Sequence, residues 1–291
     1  MPRFSEYFGI STHVNDSLFM CAIKSGDYDK VEKDLKTKKE GSDARYAKSN
    51  KTYRDEKDGV SHLTTPLLKA VDSGDEAITE LLIENGANID TKAGYHGGNA
   101  LHLSSKKGDK KLTKLLMKKG ANHNSYDQDG YSPLIVAIHN GNVEIARLLL
   151  DLGADADLGC KNDKSALEHA VSLDKSQHDA AERIVEALFD NSVVATVREL
   201  HAACSLGSPS LVKMILSQDG VKVNQPIDGD SALHVAIAAG NEATINYLLK
   251  ETDVDTSFMN KDGMTALQLA EFIGTTDNIR DSLQAATDQA V

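Results

Sequence analysis

Ten histidines are the first residues whose chemistry could build a site. A zinc centre needs imidazoles or thiolates at ligand spacing, and a general base needs a partner within hydrogen-bond reach. His102, His201 and His234 each follow a leucine that recurs along the chain (Leu101, Leu200, Leu233). His96, His123, His139, His169 and His178 have no H-x-x-x-H or H-x-E partner, so no metal site is expected. Cys21, Cys160 and Cys204 are scattered and odd in number, which supports neither a disulfide framework nor a Cys-rich metal centre and points to a reducing, cytoplasmic setting. Cys21 and Cys204 lie in apolar helical contexts and read as small core residues. There is no phosphate loop, no G-x-S-x-G and no Gly-rich strand-to-helix turn. The expectation is a protein without catalytic residues, cofactor or metal.

Lysine is the other chemistry-bearing residue in excess, at Lys106, Lys107, Lys110, Lys111, Lys114, Lys118 and Lys119. No aromatic side chains are interleaved for base stacking, and the whole chain is acidic, with 32 Lys+Arg against 44 Asp+Glu, net −12. No nucleic-acid partner is expected, and the cluster reads as a solvated helix surface. The charge is uneven: residues 1 to 125 hold 21 basic and 18 acidic residues, net +3, leaving 11 against 26, net −15, for the rest. No stretch approaches the roughly 18 apolar residues of a spanning helix, and the segment MPRFSEYFGISTHV has no apolar signal core, so no membrane span is expected.

The elements that carry these residues repeat. The segments TPLLKAVDSG (65 to 74), NALHLSSKKG, SPLIVAIHNG, SALEHAVSLD, RELHAACSLG, SALHVAIAAG and TALQLAEFIG (265 to 274) align without gaps. Their leucines, Leu67, Leu101, Leu134, Leu167, Leu200, Leu233 and Leu267, are spaced 34, 33, 33, 33, 33 and 34 residues apart. A weaker copy, SLFMCAIKSG, places Phe19 at that position. Within one copy, Leu134, Ala137 and Ile138, then Ile145, Leu148 and Leu149, recur at three-and-four spacing, giving two short helices with one apolar stripe each. Gly141-Asn142 separates them, and Asp129-Gly130, Asp228-Gly229 and Asp262-Gly263 mark tight turns. Helices this short bury their stripes only by stacking on neighbours. Ala70, Ala137, Ala170, Ala203, Ala236 and Ala270 fall where adjacent copies must approach closely.

The pattern of Thr65, Pro66, Leu67, Gly74, Leu81, Leu82 and Gly86-Ala87-Asn88-Ile89-Asp90 resembles the ankyrin repeat, over about residues 17 to 283. The resemblance implies an all-α repeat solenoid, elongated and curved, of helix-turn-helix units with β-hairpin fingers, in which the histidines after the leucine tie neighbouring loops together. Eight repeats are expected, near 17–36, 62–94, 95–128, 129–161, 162–191, 192–227, 228–261 and 262–283, the first and last being caps. An N-terminal segment (1–16), a long loop inserted at 37–58 and a frayed tail (284–291) complete the chain. In the fifth repeat LDKSQHD delays the second helix, yet Leu200 arrives on time, so no finger fits between Phe189 and Leu200. Thr196 and Glu199 have capping-box spacing instead. The contact between repeats five and six is expected to be weak.

The family's partners generally lie along the concave face, against fingers and first-helix ends. The pairs five and six residues after each leucine are Asp72 and Ser73, Lys106 and Lys107, His139 and Asn140, Ser172 and Leu173, Ser205 and Leu206, Ala238 and Ala239, Phe272 and Ile273. The first three pairs are polar and the last four turn apolar, which marks a candidate interface. Tyr95, Tyr131, Ile227 and Met264 border it, with Asp228, Asp230 and Asp262 as an acidic rim. The expected function is non-enzymatic protein binding by a monomer, with a basic or amphipathic peptide or domain as partner. Two other readings are weighed: a targeting or substrate-recruiting adaptor, including a secreted microbial effector acting in a host cytosol, and an enzyme with its site at the junction of repeats five and six, which no catalytic constellation supports.

Overall fold

The computed structural model describes residues 10–36, 50–57, 60–93, 97–158 and 164–289. The chain divides into two compact units, Met1–Ala154 and Asp155–Val291.

The first unit holds α1 (Ile10–Ser25), α2 (Tyr28–Lys36), strands β1 (Tyr53–Lys57) and β2 (Val60–Thr64), then α3 (Pro66–Ser73), α4 (Glu76–Glu84), α5 (Ala100–Lys107), α6 (Lys110–Lys118), α7 (Pro133–His139) and α8 (Val143–Asp151). The first helices start at side-chain caps that the repeat supplies: Thr65, Asn99 and Ser132 accept from backbone N–H groups one turn on, and Pro66 and Pro133 sit where no donor is needed. They stack in order, α1 on α3, α3 on α5 and α5 on α7, and the second helices stack likewise, α2 on α4, α4 on α6 and α6 on α8. Phe19, Leu67, Leu101 and Leu134 are buried, as are Ala70 and Ala137 at the close approaches. Each such leucine contributes about 1.5–3 kcal/mol of transfer free energy.

The second unit holds α9 (Ala166–Val171), a 3₁₀ turn (Lys175–Gln177), α10 (His178–Asp190), α11 (Val197–Leu206), α12 (Pro209–Leu216), α13 (Ala232–Ala238), α14 (Glu242–Glu251), α15 (Ala266–Ile273) and α16 (Asp277–Gln289). Leu167, Leu200 and Leu233 are buried, with Ala170, Ala203, Ala236 and Ala270.

Five expectations are corrected. The 37–58 insertion is not one loop. Residues 37–49 lie outside the described residues, but Tyr53–Lys57 pairs antiparallel with Val60–Thr64. Asn50 donates to the Gly86 carbonyl (2.7 Å) and accepts from the Asn88 N–H (2.6 Å), the job Asp90 does for the Asn122 N–H. The hairpin is therefore the first repeat's own finger, lengthened: Asn50 to Leu67 covers 17 positions, Asp90 to Leu101 only 11. The other described fingers are tight turns, such as Asp127 to Tyr131 and Asn260 to Met264, or a lone bridge between Ile227 and Asp230. Helix α1 begins at Ile10, inside the segment assigned to 1–16, because no Gly or Pro interrupts Ile10 to Ser25. At the other end, 284–289 continue α16 past the fully buried Leu283, and Thr287 donates back to the Leu283 carbonyl. Cys21 is exposed, unlike Cys204.

The fifth correction concerns repeats five and six. Residues 191–196 carry no hairpin, and α11 opens on the Thr196–Glu199 capping box. Yet α9 packs on α11 and α10 on α12, and the division of the chain falls ahead of the fifth repeat.

Candidate functional site

The fingers are fixed by the three histidines that follow a repeat leucine. Nε2 of His102 lies 3.0 Å from the Tyr131 carbonyl, that of His201 3.3 Å from Gln225 O, and that of His234 3.1 Å from Met264 O. A carbonyl only accepts, so each Nε2 carries the proton. Nδ1 of His234 is then free to accept from the Ser231 hydroxyl at 2.7 Å, while Nδ1 of His102 lies 3.2 Å from the Asn99 N–H and 2.6 Å from the Asn99 Oδ1. Burial holds the His102 and His201 rings below the ordinary imidazole pKa, the bonds to Tyr131 O and Gln225 O opposing it only in part, so both are neutral struts. Desolvation also pushes the Cys204 thiol up to about 12, which removes it as a nucleophile. Among the described residues no three His, Cys, Asp or Glu side chains gather in a metal-binding group.

In the first unit the first-helix ends are polar and engaged. Tyr131 is half-buried, its ring 4.9 Å from that of His139 at a 58° tilt. His139 and Asn140 are exposed, and the Asn140 amide turns back to the Val136 carbonyl. Lys107 pairs with Asp72 at 2.9 Å. Tyr95 lies outside the described residues.

In the second unit α11, α13 and α15 stand side by side, and their ends present Leu206, Ala238, Ala239, Phe272 and Ile273. Phe272 is 78% and Ile273 44% exposed, Ala238 and Ala239 are exposed, and Leu206 is half-buried. Leu173, expected in the same row, is buried at 6%. Helix α9 stops at Val171, so Leu173 falls in the turn leading to the 3₁₀ segment and folds inward instead of standing on a helix end. On the finger side, Ile227 and Asp230 exchange backbone hydrogen bonds of 3.0 and 2.9 Å, placing exposed Asp228 at the tip in a left-handed conformation (φ 50°). Asp230 is paired with Lys261 at 3.2 Å, and their hydrogen bond raises the Lys261 pKa, so the free acidic rim is narrower than the sequence indicates. A side chain at Gly229 would come within 2.8 Å of the Lys261 Cβ, so this finger must approach its neighbour through a glycine. Met264 is half-buried, its carbonyl occupied by His234.

Several positioning residues escape a reading of the leucines and histidines. Asn142 and Asn241 begin second helices without capping them. Their amides reach back to the preceding repeat, Asn142 to Ser105 O (2.7 Å) and Lys106 O (3.0 Å), Asn241 to Cys204 O (2.9 Å) and Ser205 O (2.7 Å). They satisfy first-helix carbonyls that would otherwise need water. Asp75 and Asp109, at the same register, cap their own helices; the amide in place of the carboxylate is the signal. Asp127 and Asn260 each hold a finger closed with two accepted N–H bonds. Glu199, only 4% exposed, accepts from the Thr196 N–H (2.8 Å) and hydroxyl (2.6 Å), and Ser165 donates to it at 3.3 Å across the repeat boundary. It stands where the other six leucine-bearing copies carry Pro or Ala.

A family model for ankyrin repeats (3 copies) matches residues 18–127, 101–196 and 200–280. The human transient receptor potential cation channel subfamily A member 1 is 27% identical over 252 residues, 71% of this chain and 22% of that protein. A putative ankyrin repeat protein of fowlpox virus, FPV031, is 33% identical over 95 residues, 32% of this chain and 28% of that protein. The chain thus spans less than a third of the length of either relative. The ankyrin repeat domain of human ASB11 superposes with a TM-score of 0.62 at 23% identity, covering 77% of this chain and 98% of that domain. The residues that shape the candidate surface are those of a repeat whose members generally serve as protein-protein interaction modules, and this chain belongs to the ankyrin-repeat family.

Proposed function

We propose that the chain is a non-enzymatic protein-binding module and that its second unit holds a basic, amphipathic peptide or domain along the ends of α11, α13 and α15. The observation that carries this is the exposure of Phe272, at 78%, beside Ile273, at 44%, at the end of a helix whose Ala266, Leu269 and Ala270 are buried. A phenylalanine left in water at a helix end gains about 1.5–3 kcal/mol when covered. Exposed Ala238 and Ala239 leave room beside it for a partner side chain. Asp228, Asp262 and Glu271, all exposed, give the surrounding surface the charge that selects a basic partner.

The test is a displayed library of amphipathic helices with randomised charge, selected on the whole chain. Enrichment of basic sequences whose binding is lost with Phe272→Arg, at unchanged melting temperature, is the expected result. Enrichment indifferent to that substitution would refute the assignment of the surface.

A further inference from the structure

The first unit carries a second exposed apolar feature, on its second helices. Between α6 and α8 lies a groove of about 680 Å³ lined by Met117, Leu148 and Leu152, with Lys114 and Lys118 on its edge. Leu112 and Leu116 of α6 and Ile145 and Leu149 of α8 already supply the buried stripes. Met117, Leu148 and Leu152 are thus surplus to the core, and Leu152 is 45% exposed at the end of α8.

The charges around it are sorted in an informative way. Lys110 pairs with Glu144 (3.0 Å), Lys111 with Glu76 (3.6 Å), and Lys119 with Glu80 (2.7 Å) and Glu84 (3.1 Å). The lysines away from the groove are matched by carboxylates of the flanking helices. Lys114 and Lys118, both exposed, make no ion pair within 4 Å among the described residues, although the Lys118 charge, after that of Lys119, also helps to hold the Glu80 pKa down. They stand one turn apart on α6, where like charges repel.

We propose that this groove is a docking site for an acidic amphipathic segment. Its apolar residues would cover Met117, Leu148 and Leu152, and two carboxylates about one turn apart would meet Lys114 and Lys118. The charge complementarity is opposite to that of the second unit's surface, so the two sites select different partners, and this one stands independently of the function proposed above.

The experiment selects a displayed library of helices of about four turns, with a fixed leucine stripe and Asp, Glu, Lys or Gln elsewhere, on the whole chain. Acidic helices should be enriched. Their affinity should fall at least about tenfold with Lys114→Glu plus Lys118→Glu, and likewise with Leu152→Asp, while Phe272→Arg leaves it unchanged. Raising salt should weaken binding. Thermal midpoints of the variants, compared with wild type, show that the fold is kept. The proposal is overturned if no acidic helix is enriched over the doubly substituted chain, or if enriched helices are indifferent to both substitutions. Binding of phosphatidylserine vesicles that depends on the two lysines, with no helix enriched, would also overturn it in favour of a lipid surface.

Discussion

The first-helix ends of residues 1–154 and of residues 155–291 occupy the same register of the same repeat, yet their side chains are committed differently. In the first unit Lys107 is paired with Asp72, Asn140 is folded onto its own helix and His139 lies against Tyr131. In the second, Phe272 and Ile273 stand in water. The backbone scaffolding behind both is the same: His102 and His234 strut the fingers, and Asn142 and Asn241 close the helix ends. Positions that the scaffold does not use carry the difference, and apolar exposure there is not required by the repeat's own hydrogen bonds.

The sharpest way to break the comparison is to exchange its members. Leu173→Ala should cost about 2–5 kcal/mol in denaturant unfolding, the loss typical of a buried leucine. Phe272→Ala should stay within about 0.5 kcal/mol of wild type. Equal losses would place Phe272 in the core.

Next in size is the junction of repeats five and six, where Glu199 and Ser165 stand in for a finger. Glu199→Ala removes a carboxylate that accepts from the exposed Thr196 and from Ser165, and since hydrogen bonds to charged groups are worth about 1.5–3 kcal/mol a loss of that order is expected, with Glu199→Gln keeping most of the stability because Gln also closes a capping box. Unfolding followed by one probe in each unit should show that Glu199→Ala moves only the second midpoint. A single shared midpoint that moves with it would contradict that expectation.

Smaller still are the amide links. Asn142→Ala and Asn241→Ala should each cost about 0.5–1.5 kcal/mol, the first sensed in residues 1–154 and the second in 155–291.

The smallest effect is pH-dependent. Burial lowers the folded pKa of His102 and His201, so above the ordinary imidazole value of about 6.5 both states are neutral and stability is flat. Below it the unfolded chain takes up protons that the folded rings refuse, and stability falls with pH until the lowered folded values are passed. Replacing both rings by Gln should flatten that slope in urea midpoints measured from pH 7 to pH 5.

The repeat itself was legible because its leucines recur at a fixed spacing and each has one job, burial in a stack. Leu173 was misread because carrying a register position across assumes helices of equal length, whereas α9 is two residues shorter than α5 and its last turn is replaced by the segment that folds Leu173 inward. The first finger was hidden by its polar composition: β1 is stabilised by backbone pairing with β2, which no apolar pattern announces. Asn50, Asn142 and Asn241 were missed since an amide that bonds a carbonyl 36 or 37 positions away leaves no local trace. The apolar ends at Phe272 and Ile273 were legible because α15 has the full length the pattern assumes.

The central claim, that the exposed row of the second unit is a binding surface, is tested most directly by measuring affinity and stability together on one substitution. A basic amphipathic helix selected on the wild-type chain should bind Phe272→Ala with a loss of about 1–3 kcal/mol while the unfolding midpoint stays in place. Unchanged affinity, or a fall in midpoint as large as that of Leu173→Ala, would contradict it.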